Sequence, residues 1–188
     1  MMVRADTTRN ASGYPYRDLA DAIIMQACDD YRVSLRKISR GTDCRNEEYL
    51  ISDALLFFGS SWYVELTDID SDYMIEHLKA DVVEQAKADY REAWRGIWLK
   101  KKKGAERMAR RFEAFFRSER FYKISGVRGS TVIAQQKHEI LTEILKECRE
   151  LMDRDSRDGL ERIKGFMRSE KFKELSELDP ERLIAGLK

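Results

Sequence analysis

One stretch of this chain occurs three times, and any fold must accommodate that recurrence. Phe57-Phe58-Gly59-Ser60-Ser61-Trp62-Tyr63-Val64-Glu65-Leu66-Thr67-Asp68-Ile69-Asp70 returns near the C-terminal end as Phe166-Met167-Arg168-Ser169-Glu170-Lys171-Phe172-Lys173-Glu174-Leu175-Ser176-Glu177-Leu178-Asp179, position by position and without a gap. Between them, Phe116-Arg117-Ser118-Glu119-Arg120-Phe121 and the residues up to Ile133 keep the apolar frame and lose the acids. A unit of this size is marginal alone, so neighbouring units are expected to stack and share a core.

The spacing around the repeats is helical. From Arg17 the residues Leu19, Ala20, Ile23, Ile24, Ala27, Cys28, Tyr31, Leu35 and Ile38 fall three or four apart, as on one face of an amphipathic helix. Gly41 suits the left-handed residue that closes it, and Thr42-Asp43 offers caps for a second helix. That second helix carries Tyr49, Leu50, Ala54, Leu55 and Phe58 on its apolar face. Ser60 is expected to cap a short turn with Trp62 and Tyr63 directed inward. Asp70 is expected to N-cap the next helix, because its counterpart Asp179 precedes Pro180, and proline fits the first helical position. That helix carries Met74, Ile75, Leu78, Val82, Ala86, Tyr90, Trp94 and Ile97, so the last helix of one unit runs into the first of the next.

Gln26-Ala27 and Asp30-Tyr31-Arg32 return as Gln85-Ala86 and Asp89-Tyr90-Arg91 at one constant offset, which extends the repeat to the long helices. The reading is an all-α fold of three tandem helical repeats sharing long connecting helices, the last repeat abbreviated. Its divisions are a flexible arm at 1–16 and repeats at 17–80, 81–139 and 140–188. Phe58, Phe116 and Phe166 are expected at equivalent buried sites.

Divided this way, the net charge of +1 resolves into alternating blocks. Repeat 1 holds seven basic and thirteen acidic residues (−6), repeat 2 fifteen and eight (+7), and repeat 3 eleven and twelve (−1). Such alternation can steer a partner or hold units together. No run of about 18 apolar residues occurs and the first residues have no signal-peptide core, which predicts a soluble, cytoplasmic protein without a membrane partner.

Motifs for chemistry are scarce. Asp68, Asp70 and Asp72 alternate like the opening of a calcium loop, but Tyr73 stands where that loop needs glycine and Lys79 where it needs glutamate, so capping is the better account. His77 and His138 lack neighbours that would make a metal site or a proton shuttle. Cys28, Cys44 and Cys148 have no ligand or disulfide spacing. Ser60, Ser118 and Ser169 recur without an activating base. A non-enzyme without cofactor or metal is therefore expected. Trp62, Tyr63, Phe121, Tyr122 and Phe172 could stack on bases, yet their recurrence on the apolar stripe favours the core.

The candidate binding residues are Lys100, Lys101, Lys102, Lys103, Arg107, Arg110, Arg111, Arg117, Arg120 and Lys123, all in repeat 2. Such a cluster can hold phosphates by releasing counterions, or it can be a solvated face diluted by Glu106, Glu113 and Glu119.

The phrases Gln85-Ala86-Lys87-Ala88-Asp89-Tyr90-Arg91 and Phe115-Phe116-Arg117-Ser118-Glu119-Arg120-Phe121, with Leu66-Thr67-Asp68-Ile69-Asp70 and Met74-Ile75, resemble small uncharacterised helical-repeat proteins of phages and mobile elements in Gram-positive gut bacteria. Those proteins usually carry the pattern once, and Arg120 departs from it where the first copy has Trp62. The resemblance implies a setting in which small proteins without active sites regulate DNA transactions or block host defence. The expected function is an anti-defence inhibitor or accessory factor that binds a host nucleic-acid-processing complex such as a CRISPR-type nuclease. A DNA-binding regulator with helix-turn-helix-like repeats and a structural oligomerisation protein are the alternatives.

Overall fold

The helix order is written by pairs of hydroxyl groups. Ser60, Ser118 and Ser169 each donate to the carbonyl three residues back (Phe57, Phe115, Phe166) and accept from the amide three residues on (Tyr63, Phe121, Phe172). One side chain thus satisfies the end of one helix and caps the start of the next. Thr67, Ser125 and Ser176 then accept from the amides of Ile69, Val127 and Leu178, a side-chain turn that leads into the following helix.

The computed structural model describes residues 15–41, 45–100, 103–154 and 156–186. They form α1 (Pro15–Ser39), α2 (Arg45–Phe58), α3 (Ser61–Leu66), α4 (Ser71–Trp98), α5 (Ala105–Phe116), α6 (Glu119–Ser125), α7 (Gly129–Asp153), α8 (Arg157–Met167), α9 (Glu170–Leu175) and α10 (Pro180–Ala185). No strand occurs among the described residues, and the fold is all-α. Long, medium and short helices follow one another three times. The divisions at 80/81 and 139/140 fall inside α4 and α7. Residues 1–14 of the expected arm and the expected caps Thr42 and Asp43 lie outside the described residues, and α1 begins within that arm, at Pro15.

Asp70 and Asp179 cap their helices as expected, accepting from the amides of Tyr73 and Glu181. The middle copy has Arg128 at the capping position and no side-chain cap. Its first helical residue, Gly129, lies so close to the end of α5 that a Cβ there would sit 1.8 Å from the Phe116 carbonyl oxygen. At the end of α1, Gly41 takes the expected left-handed conformation, with φ of 72°.

Each long helix packs on the medium and short helices that follow it and on the next long helix, while α2, α5 and α8 also touch α4, α7 and α10. Two cores result. The first joins Ile24, Cys28, Tyr31, Leu35, Ala54, Phe58 and Tyr63 to Leu78 and Val82 of α4. The second begins at Val83 of the same helix and runs through Tyr90, Trp94, Phe112, Phe116, Phe121, Ile140, Ile144, Met167 and Phe172. Full burial of each large apolar side chain contributes about 1.5–3 kcal/mol.

Charged pairs reinforce the joints. Arg32 meets Asp81 at 3.3 Å and Arg40 meets Asp89 at 2.6 Å between α1 and α4, and Arg91 meets Glu139 at 3.0 Å between α4 and α7. Glu48 of α2 holds Arg120 of α6 at 2.7 Å, and Glu106 of α5 reaches Lys171 of α9 at 3.6 Å.

Three sequence expectations are corrected. Trp62 does not turn inward: it is 51% exposed while Tyr63 is fully buried. Successive helical residues lie about 100° apart, so a helix of one and a half turns cannot direct both at α1. Tyr49, Leu55 and Leu19 also face outward from their helices. Finally, the partner of Phe58 and Phe116 in the repeat is Met167, fully buried. Phe166, also buried, stands where Phe57 and Phe115 stand, because Ser169 aligns with Ser60 and Ser118.

Candidate binding surfaces

Four of the ten basic residues are engaged within the molecule. Arg117 is bound to Glu113 at 3.2 Å, Arg120 to Glu48 at 2.7 Å and Lys123 to Glu119 at 2.9 Å. The Lys123 ammonium holds the Glu119 carboxyl below the usual carboxylate range. Arg111 lays its stem over Gly41 and donates to the Arg40 carbonyl at 3.2 Å. Lys101 and Lys102 lie outside the described residues. Lys100, Lys103, Arg107 and Arg110 remain, all exposed at the α4–α5 turn and along α5.

The glutamates that dilute this cluster in sequence have partners of their own. Glu106 reaches Lys171, and Glu113 accepts the Tyr90 hydroxyl at 2.8 Å as well as Arg117. Burial, with that carboxylate as neighbour, pushes the Tyr90 phenol far above its ordinary range. What faces solvent on α5 is a shallow hollow bordered by Gly104, Glu106, Arg107, Arg110, Arg111 and Ala114. It can take an extended anion, but nothing encloses one.

A second surface, which has no counterpart among the sequence expectations, lies on the first repeat. Ala22, Ile23, Gln26, Ala27 and Asp30 of α1, Asp53, Ala54, Leu56 and Phe57 of α2, and Trp62 beside Ser60 border a groove of about 620 Å³. Alanines let its floor lie low, and Leu56 and Trp62 stand up from it, 74% and 51% exposed. The Phe57 ring meets the Trp62 ring edge-on at 5.7 Å, which positions the indole. Asp30 accepts from the Gln26 amide at 3.0 Å, and neither Asp30 nor Asp53 is paired with a cation among the described residues. The signal was in the alignment of the repeats. Trp62 occupies a position where the other copies carry Arg120 and Lys171, a poor choice for a core site.

Of the aromatic set, Tyr63, Phe121 and Phe172 are fully buried, while Trp62 and Tyr122 are outside. His77 stacks on Tyr73 at the surface of α4, and His138 is exposed on α7. Cys28 and Cys148 are buried; Cys44 lies outside the described residues. Burial pushes the Cys148 thiol up to about 11. Among the described residues no group of His, Cys, Asp or Glu is placed to hold a metal ion, and no helix is long and apolar enough to cross a membrane. No protein family, curated protein or solved structure matches this chain.

Proposed function

We propose that this chain is a non-catalytic binding protein of a phage or mobile element, an anti-defence inhibitor or accessory factor that engages a host nucleic-acid-processing complex such as a CRISPR-type nuclease. The observation that carries the protein-binding part is the groove around Trp62. A half-exposed tryptophan held edge-on by Phe57 is the kind of anchor that dominates protein interfaces. The setting comes from the resemblance of the repeat phrases, and a cytoplasmic place of action goes with it. Lys103, Arg107 and Arg110 would then face the nucleic acid that such a complex carries.

Direct binding of DNA by a regulator is the second reading, favoured by Arg107 and Arg110 having no acidic partner among the described residues. A helix-turn-helix-like use of the first repeat is not favoured, since α4 would enter a groove with Asp72 and Glu76 exposed in its first turns, and these repel phosphates. Titration of labelled duplex DNA separates the readings. Near physiological salt the protein should bind it weakly or not at all. Tight, salt-sensitive binding that is lost when Lys100, Lys103, Arg107 and Arg110 become alanine in a folded variant would overturn the protein-binding reading.

A further inference from the structure

The surface that is an open groove in the first repeat carries side chains that pair with the preceding unit in the other two. Along the repeat, Asp30 corresponds to Asp89, Asp53 to Arg111, and Trp62 to Arg120 and then Lys171. Asp89 takes Arg40, just past the end of α1, and Arg111 donates to the Arg40 carbonyl. Arg120 pairs with Glu48 of the preceding medium helix, and Lys171 with its counterpart Glu106. At both joints side chains of this surface pair with the unit before it. The groove is the position at which a preceding unit would be met.

Its chemistry differs from the paired faces in a consistent direction. Asp30 is kept, and Gln26 holds it as Gln85 holds Asp89, both at 3.0 Å, so a cation belongs there. Asp53 puts a carboxylate where Arg111 is a donor, which calls for a second cation. Trp62 replaces a cation that bound glutamate, so an apolar side chain fits in its place. A second copy of this chain is a poor occupant. Its own docking helices α2 and α5 would bring Glu48 or Glu106 to Trp62, and two grooves face to face would oppose their acids.

We propose that the α1–α2–α3 groove docks a cationic amphipathic α-helix of a partner protein, with an apolar side chain on Trp62 and basic side chains on Asp30 and Asp53. This rests on the protein-binding reading and names the chemistry of the partner. An amphipathic helix in an apolar groove is anchored by residues one turn apart, and flanking charges set orientation and exclude acidic competitors.

The test uses the full chain and two fluorescein-labelled synthetic helices of about 18 residues, one Leu/Lys and one Leu/Glu, with leucines at helical spacing. Anisotropy should show the Leu/Lys helix bound at least about tenfold more tightly. Asp30→Asn with Asp53→Asn, and separately Trp62→Ala, should each weaken it at least about fivefold at unchanged circular dichroism. The variant with alanine at Lys100, Lys103, Arg107 and Arg110 should bind it as the wild type does. The Leu/Lys helix should also shift tryptophan emission in the wild type, and the shift should be missing in Trp62→Ala, which keeps the buried Trp94 and Trp98. Equal binding of both helices, or no effect of the groove variants, overturns the proposal. So does a Trp62-dependent dimer in sedimentation, Leu/Lys binding that emerges only when residues 1–14 are deleted, or capture of phosphatidylglycerol vesicles through Trp62 without helix binding. Tight DNA binding through α5 alongside intact helix docking would overturn the functional reading alone; failed docking with weak DNA binding would overturn the groove alone.

Discussion

Replacing Phe116 by alanine tests the packing of the larger core. The ring is 1% exposed and meets Phe121 at 5.2 Å and 73°, Tyr90 at 5.6 Å and 87°, and Phe115 at 6.0 Å. Truncating a buried phenylalanine costs about 3–5 kcal/mol, the larger figures where the surroundings cannot close on the cavity. Closure is hindered here. Tyr90 is tied to Glu113, and the Ser118 cap fixes Phe121 to the end of α5. We therefore expect about 4 kcal/mol, a large part of the 5–15 kcal/mol typical of a folded domain. Urea unfolding followed by far-ultraviolet circular dichroism should show the midpoint falling with little change in slope. Tyr122→Ala, at a ring 55% exposed nearby, should change stability by about 0.5 kcal/mol or less. A loss below about 1.5 kcal/mol at Phe116, which is small for such a site, would refute the reasoning.

Two glycines should respond with opposite sign. Gly129→Ala drives a Cβ into the Phe116 carbonyl and should cost about 1–3 kcal/mol or more, whereas Gly165→Ala, exposed in α8 with nothing within 4 Å, should stabilise by about 0.5–1 kcal/mol; urea midpoints moving the same way would contradict both assignments. In a Cys44→Ala variant, Cys28 and Cys148 should react slowly with a thiol reagent near pH 8, because both are buried and burial raises both thiols. A fast thiol in the folded variant would be the contrary result.

Much of the helical frame was legible because it is written redundantly. Gly41, Asp70 and Asp179 are where backbone chemistry demands them, and a threefold serine at one position has a single economical account. Periodicity identified which face is apolar, but it could not say whether that face is covered. Leu19, Tyr49, Leu55 and Trp62 belong to apolar stripes and still face outward, since covering them depends on which units stack against which. How the basic cluster is engaged is hidden from the sequence for a related reason. Counting charges along repeat 2 cannot show that Arg117, Arg120 and Lys123 are taken by Glu113, Glu48 and Glu119 while Arg107 and Arg110 are left. The register of Phe166 is readable from its distance to Ser169, whereas residue type alone pairs it with Phe58 and Phe116.

The two cores part company between Val82 and Val83, adjacent residues in the middle of α4. One continuous helix therefore answers to two masters. If opening follows packing instead of helix boundaries, the amide protons of the first half of α4 should exchange in step with those of α1. Those of its second half should exchange with α5 and α7. The first half could then loosen, and α1 with it, while the rest of the molecule stays closed.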